Sequence, residues 1–175
     1  NSINKQNKNI SFYYHFIIGK GLRGYLSNIN PIKEKISNYK INLIHAHGGM
    51  SGFLANLQKS VNVITTFHGS DINYFQNRIV SYFGLFFSKH SIFVSKYLLD
   101  KVMFKNNAHV IPCGVDTELF KPREKNKVKN RLNLDFEMKY ILFSSNFKNK
   151  IKNYQLLKDA KNKINGKFEI IQLKN

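Results

Sequence analysis

A chain of 175 residues with 42% apolar residues, among them 15 Phe and 9 Tyr, has enough material for one packed domain, or one domain and part of another, which excludes disorder. No apolar run nears the roughly 18 residues that span a bilayer, and the sole cysteine, Cys113, excludes an internal disulfide and fits a reducing cytosol. The net charge of +18 suggests phosphates, nucleic acid or anionic lipid, yet 24 of the 28 cations are lysine and 23 Asn accompany them. Readers of nucleic acid favour the planar fork of arginine, so compositional drift is the preferred cause and no specific nucleic acid is expected.

In chain order, the first ten residues read as a polar lead, and Phe12 to Ile18 as a strand. Glycines 19, 21 and 24 interrupt it. Helical spacing follows from Leu22 to Tyr39, with Pro31 expected to divide two short helices because its ring blocks an interior hydrogen bond. This Lys-bearing segment suits packing against a sheet, with a peripheral membrane contact as the alternative. The rhythm then becomes regular: strand Ile41 to His47, helix Ser51 to Lys59, strand Val61 to Phe67, helix Arg78 to Ser88, strand Ser91 to Val94, helix Lys96 to Phe104, strand His109 to Ile111. Short apolar strands alternating with helices predict an α/β fold with a parallel sheet and right-handed crossovers. Pro112 to Lys129 reads as a charged connector, with a domain boundary near Phe120 to Lys125. A second unit follows: strand Tyr140 to Ser145, helix Asn153 to Ile164 and strand Phe168 to Leu173. Without an initiator Met or a signal-peptide pattern, the sequence is expected to start inside a longer natural chain.

Chemistry-bearing residues gather at strand ends, where open α/β sheets bind ligands. The first group is HAHGGMSG, His45 to Gly52. His45 and His47 share a strand face, and Gly48 and Gly49 are expected to leave backbone amides free at a helix N-terminus for an anion or a sugar hydroxyl. His45, expected nearer the core, should be satisfied by a neighbour. The second group is TFHGSD, which crowds His68, Gly69 and Asp71 into one turn; a capping Asp is the plainer reading. A metal site built on His45, His47, His68 and Asp71 would suit a zinc hydrolase. It competes poorly, because metal-dependent barrel hydrolases need more βα units than this length allows. In SIFVSKYLLDKV, Ser95 reads as a helix cap. VIPCGVDTELFKP combines Pro, Gly and Asp in rigid turns. In SSNFKNKIKNYQ, Lys148, Lys150 and Lys152 precede a helix, where cations oppose the dipole unless an anion neutralises both, so a phosphate site is the better reading.

These motifs, in this order and spacing over about residues 20–175, resemble glycosyltransferases of family 4. The resemblance implies the GT-B fold of two facing Rossmann-like domains, with residues 1–120 as the acceptor-side domain and 121–175 as the start of the donor-binding one. It implies sugar transfer from a nucleotide-diphosphate donor to a saccharide or lipid-linked acceptor in surface polysaccharide or glycolipid synthesis. The transfer is retaining, with no essential metal or resident cofactor, and takes place in the cytoplasm or at the inner membrane face. By match to the motifs, His68 is the catalytic histidine beside the transferred sugar. His47, Gly48, Gly49, Gly69, Asp71 and Arg78 fall on the acceptor side. Asn146, Lys148 and Lys152 fall on the donor side, with Lys152 holding the diphosphate. The family commonly shows Gly-Arg where Ser145 and Asn146 stand, so one expected cation is missing and Lys148 or Lys150 is placed to substitute. A later glutamate motif lies past Asn175, so the chain alone is expected to be inactive. A basic nucleic-acid- or membrane-binding module is the rival reading.

Overall fold

A computed structural model describes residues 10–172, and the chain divides into two compact units at Gly114–Val115. In the first unit, β1 (Leu43–His47), β2 (Asn62–Phe67), β3 (His90–Phe93) and β4 (Ala108–Val110) form a parallel sheet in sequential order. These strands are rich in Ile, Val, Thr and Phe, which suit a pleated, half-buried surface. Strands in sequential order joined by crossovers of one hand send the connecting helices to one face. These helices are α3 (Gly49–Asn56), the single turn α4 (Ser70–Asn73), α5 (Phe75–Phe87) and α6 (Lys96–Asp100).

Register then assigns the two sheet faces. Ala46 pairs with Thr65, Thr65 with Ser91 and Phe67 with Phe93. This face meets the helices: Ala46 and Val63 pack on Ala55, while Phe67 and Phe93 pack with Ile72, Leu85, Leu98 and Val102. The rings of Phe67 and Phe93 stack at 5.0 Å with no exposed surface. The other face carries His45, His47, Thr66, His90 and His109. α3 and α5 approach closely because Gly49 and Gly84 offer no Cβ, one at Gly84 lying 2.7 Å from the Gly49 carbonyl oxygen, while Gly52 lets α3 settle against Thr65 of β2.

Several expected elements shift. Phe12 to Ile18 forms no strand. At its end the Asn28 side chain takes both backbone groups of Ile18, accepting from the amide at 3.2 Å and donating to the carbonyl at 3.0 Å. The break between α1 (Gly21–Leu26) and α2 (Ile29–Tyr39) falls at Ser27 and Asn28, so Pro31 lies in the first turn of α2, where a missing N–H costs nothing. α2 does not pack on the sheet as expected: it has no buried residue, and Tyr39 stacks on Tyr13 at 4.4 Å while Lys35 Nζ donates to the Tyr14 carbonyl at 2.6 Å. α6 stops at Asp100, which lets Val102 turn into the core and Phe104 meet Tyr82 edge-on. The lead over residues 1–9 and Leu173 lie outside the described residues.

The second unit holds β5 (Lys139–Phe143) and β6 (Phe168–Gln172), paired in parallel, with α7 (Lys125–Arg131), a 3-10 turn at Lys150–Lys152 and α8 (Tyr154–Asn162). α7 replaces part of the expected connector. Only Val128 is apolar in it, so periodicity gave no signal, and Lys129 fixes it by donating to the carbonyls of Phe136 and Met138. The expected boundary at Phe120 to Lys125 lies inside this unit, whose first turn is closed by Asp116 Oδ1 accepting from the amides of Glu118 and Leu119.

Candidate active site

At the carboxyl ends of β1 and β2 the chain turns sharply twice. Gly48 adopts φ +90° and Gly69 φ +125°, both in the region that favours glycine. The Gly48 amide donates to the Thr66 carbonyl at 2.8 Å, extending the β1–β2 ladder by one bond. Asp71 joins the turns: Oδ1 accepts from the Gly49 amide at 2.9 Å and Oδ2 from the His68 amide at 3.0 Å. The expectation of free amides at Gly48 and Gly49 is thereby corrected. The positive end of α3 already holds an anion, the carboxylate of the chain's own Asp71, and the amides of Gly48 and Gly49 are both spent.

The same linkage brings the imidazoles together. His47 Nδ1 and His68 Nε2 lie 3.0 Å apart in a hydrogen bond, with rings stacked at 5.3 Å, and the His45 ring sits 4.5 Å from that of His47. His45 Nε2 bonds Thr66 Oγ1 at 2.7 Å. His45 thus has the expected partner, but it stands outside the core, which lies behind the opposite strand face at Ala46, and only its ring is partly shielded by its neighbours. Arg78 donates from Nε to the Ile72 carbonyl at 2.8 Å, bracing the corner between α4 and α5. Ser81, not singled out in the sequence, sits against Gly49 and donates its hydroxyl to the Asp71 carbonyl at 3.0 Å. Its signal was the small-residue spacing Ser81, Gly84, Ser88 along the apolar second half of α5 and its C-cap. The ligand set of the zinc reading is not assembled: among the described residues no three His, Cys, Asp or Glu side chains are arranged to hold a metal ion.

Burial, and then the neighbouring His47 and His68, hold the pKa of His45 below its ordinary value; burial and then His68 do the same for His47. Both imidazoles therefore favour the neutral form in the folded chain. The unfolded chain binds protons first as pH falls through the ordinary histidine range near 6.5, so stability drops there and levels only below the depressed folded values. Thermal melts should show a midpoint that declines from pH 7 downward, and a His45→Gln/His47→Gln variant should lose part of that slope. An unchanged slope would remove the assignment.

In the second unit, Asn146, Lys148, Lys150 and Lys152 are exposed on the loop between β5 and α8. Its backbone is closed on itself: Asn146 Oδ1 accepts from the Lys148 amide, Asn149 Oδ1 from Ile151, and the Asn149 and Asn153 carbonyls from Lys152 and Leu156. Asn153 at φ +49° caps α8, and Phe147 stacks on Tyr154 at 4.0 Å. The lysine ammonium groups, rather than these amides, are left to meet an anion.

The family model described as Glycosyltransferase Family 4 matches residues 6–119, which contain the whole histidine cluster. Among solved structures, a sucrose-phosphate synthase from Thermosynechococcus elongatus superposes with TM-score 0.71 at 20% identity, over 86% of this chain and 41% of that one. A glycosyltransferase from Rickettsia africae gives 0.51 at 17%, over 95% and 55%, and a UDP-GlcNAc 2-epimerase from Methanocaldococcus jannaschii gives 0.50 at 13%, over 90% and 58%. The chain thus spans less than two thirds of each of these structures, and at such identities the likeness speaks for the fold alone. No curated protein matches the sequence.

Proposed function

The chain belongs to glycosyltransferase family 4, and from that premise we propose that the complete protein moves a sugar from a nucleotide-diphosphate donor to a saccharide or lipid-linked acceptor, with retention at the anomeric carbon. Surface polysaccharide or glycolipid assembly in the cytoplasm is the setting this chemistry suits. The observation that carries the reading is the His47–His68 pair, fixed at two strand ends by Asp71 within the matched span. Paired imidazoles can orient a sugar hydroxyl by donating and accepting hydrogen bonds. His68 serves there as a positioning and hydrogen-bonding group rather than a general base. His47, Gly48, Gly49, Gly69, Asp71 and Arg78 shape the acceptor side. Departure of the nucleoside diphosphate develops negative charge, which Lys148 and Lys152 with Asn146 would stabilise, Lys150 adding to them in place of the missing arginine. No resident metal or cofactor enters this scheme.

Sugar-nucleotide binding and transfer by the complete chain test the assignment. Lys152→Ala should weaken donor binding, whereas His68→Ala should keep it and slow transfer by about 10²–10⁴-fold. His68 is exposed, so its loss should leave the melting temperature unchanged. Equal activity in wild type and both variants would withdraw the site.

A further inference from the structure

Of the four histidines on the outer face of the first sheet, His45 and His47 belong to the site at the strand ends, and His90 and His109 do not. His109 shares a register row with Ile92, Thr66 and His47, which puts it three strand spacings, about 14 Å, from His47. Ser91 pairs with Ala108, so His90 on β3 and His109 on the edge strand β4 are diagonal neighbours. Their facing nitrogens, His90 Nδ1 and His109 Nε2, lie 3.1 Å apart in a hydrogen bond, with ring centres at 5.3 Å. His109 is exposed and His90 half-buried, so both rings can turn without disturbing the core on the other face at Phe93.

Two nitrogens at this separation fit the bite of one metal ion. With bonds of about 2.0–2.1 Å they subtend about 100° at zinc, between a right angle and the tetrahedral value. A neutral imidazole carries one N–H and one lone pair. The ring that donates in the pair moves its proton to its outer nitrogen, and both facing nitrogens then offer lone pairs with no change of charge. No carboxylate supports them: of the three in residues 1–114, Asp71 is engaged by two amides, Asp100 pairs with Lys105 at 3.3 Å, and Glu34 lies on α2. Lys89 adjoins His90 and repels a cation held by charge alone. Magnesium and calcium, which need oxygen ligands, are therefore disfavoured, whereas imidazole nitrogen suits zinc, nickel and copper.

We propose that His90 and His109 bind a divalent transition-metal ion such as zinc, with water at its remaining positions, clipping edge strand β4 to β3. Two protein ligands make this an open site, unlike the three-residue set that is absent among the described residues. It stands apart from sugar transfer, so its failure leaves the catalytic reading intact, and the reverse holds. The test is zinc titration of the whole chain, followed by proton–nitrogen correlation spectra of the histidine rings. His90 Nδ1 and His109 Nε2 should shift as ligands, and magnesium should move neither. His90→Gln and His109→Gln should each weaken binding at the remaining ring by at least about tenfold, the loss that removal of even an outer partner brings. Residue 109 is exposed, so His109→Gln should keep its circular dichroism and melting, and it decides the matter alone if His90→Gln misfolds. The proposal is overturned by absence of a shift at either ring, by zinc shifts confined to His47, His68 or Cys113, by undiminished binding in His109→Gln, or by an equal response to magnesium.

Discussion

Gly84→Ala should destabilise the chain by about 2–4 kcal/mol, against the direction that helix propensity alone would give. Alanine in an exposed helix interior is favoured over glycine by about 1 kcal/mol. At Gly84 the added methyl would sit 2.7 Å from the Gly49 carbonyl oxygen and 3.1 Å from the Phe53 amide nitrogen. Both neighbours are backbone of α3, so no side chain can rotate away and the two helices must separate. Separation costs packing along Ser81, Leu85 and Ser88, and it pulls Gly49 from the Asp71 carboxylate that its amide holds at 2.9 Å. A change in denaturant midpoint at constant m-value would measure this cost. Gly114→Ala, where nothing lies within 4 Å of the new carbon and φ is unexceptional, should shift the midpoint by no more than a few tenths of a kcal/mol and serves as the control. A neutral Gly84→Ala would mean that the helices are not in contact as described.

The contrast shows which parts of the molecule sequence pattern can reach. The strands from Leu43 onward were legible because β-branched and aromatic residues cluster in short runs between turns, and their alternation with helices called for parallel pairing, which the registers show. Phe12 to Ile18 carries the same composition, but at its end both backbone groups of Ile18 are taken by the side chain of Asn28, ten residues on, a competition that local propensity does not contain. α7 was missed for the opposite reason: a helix made of Lys, Asn and Arg shows no apolar stripe. At the site, the glycine turns and the shared face of His45 and His47 were readable from spacing. What was not readable is that the amide of Gly49 is taken by a carboxylate 22 positions away, which turns an expected anion site into a structural clasp.

That clasp carries the second large effect. Asp71→Ala should cost about 1–3 kcal/mol and, in the complete chain, slow sugar transfer, because the amide of buried Gly49 would be left without a partner and the exposed amide of His68 would exchange a charged acceptor for water. Asp71→Asn should cost nearly as much. Its amide oxygen can serve one of the two donors, at Gly49 or His68, but its NH₂ would then face the other donor. The carboxylate also lies at the positive end of α3, an attraction the neutral amide forfeits. The specific readout is hydrogen exchange: the amides of Gly49 and His68 should lose protection in both variants, while that of Ile64 in β2 keeps it relative to global stability. If the clasp sets the histidines, the loss of transfer should exceed what the unfolded fraction explains, since His68 is the residue directly tethered and His47 is its hydrogen-bonded partner. Retained protection at Gly49 and His68 in Asp71→Ala would dissolve the link between the turns, and with it the reason these two imidazoles meet.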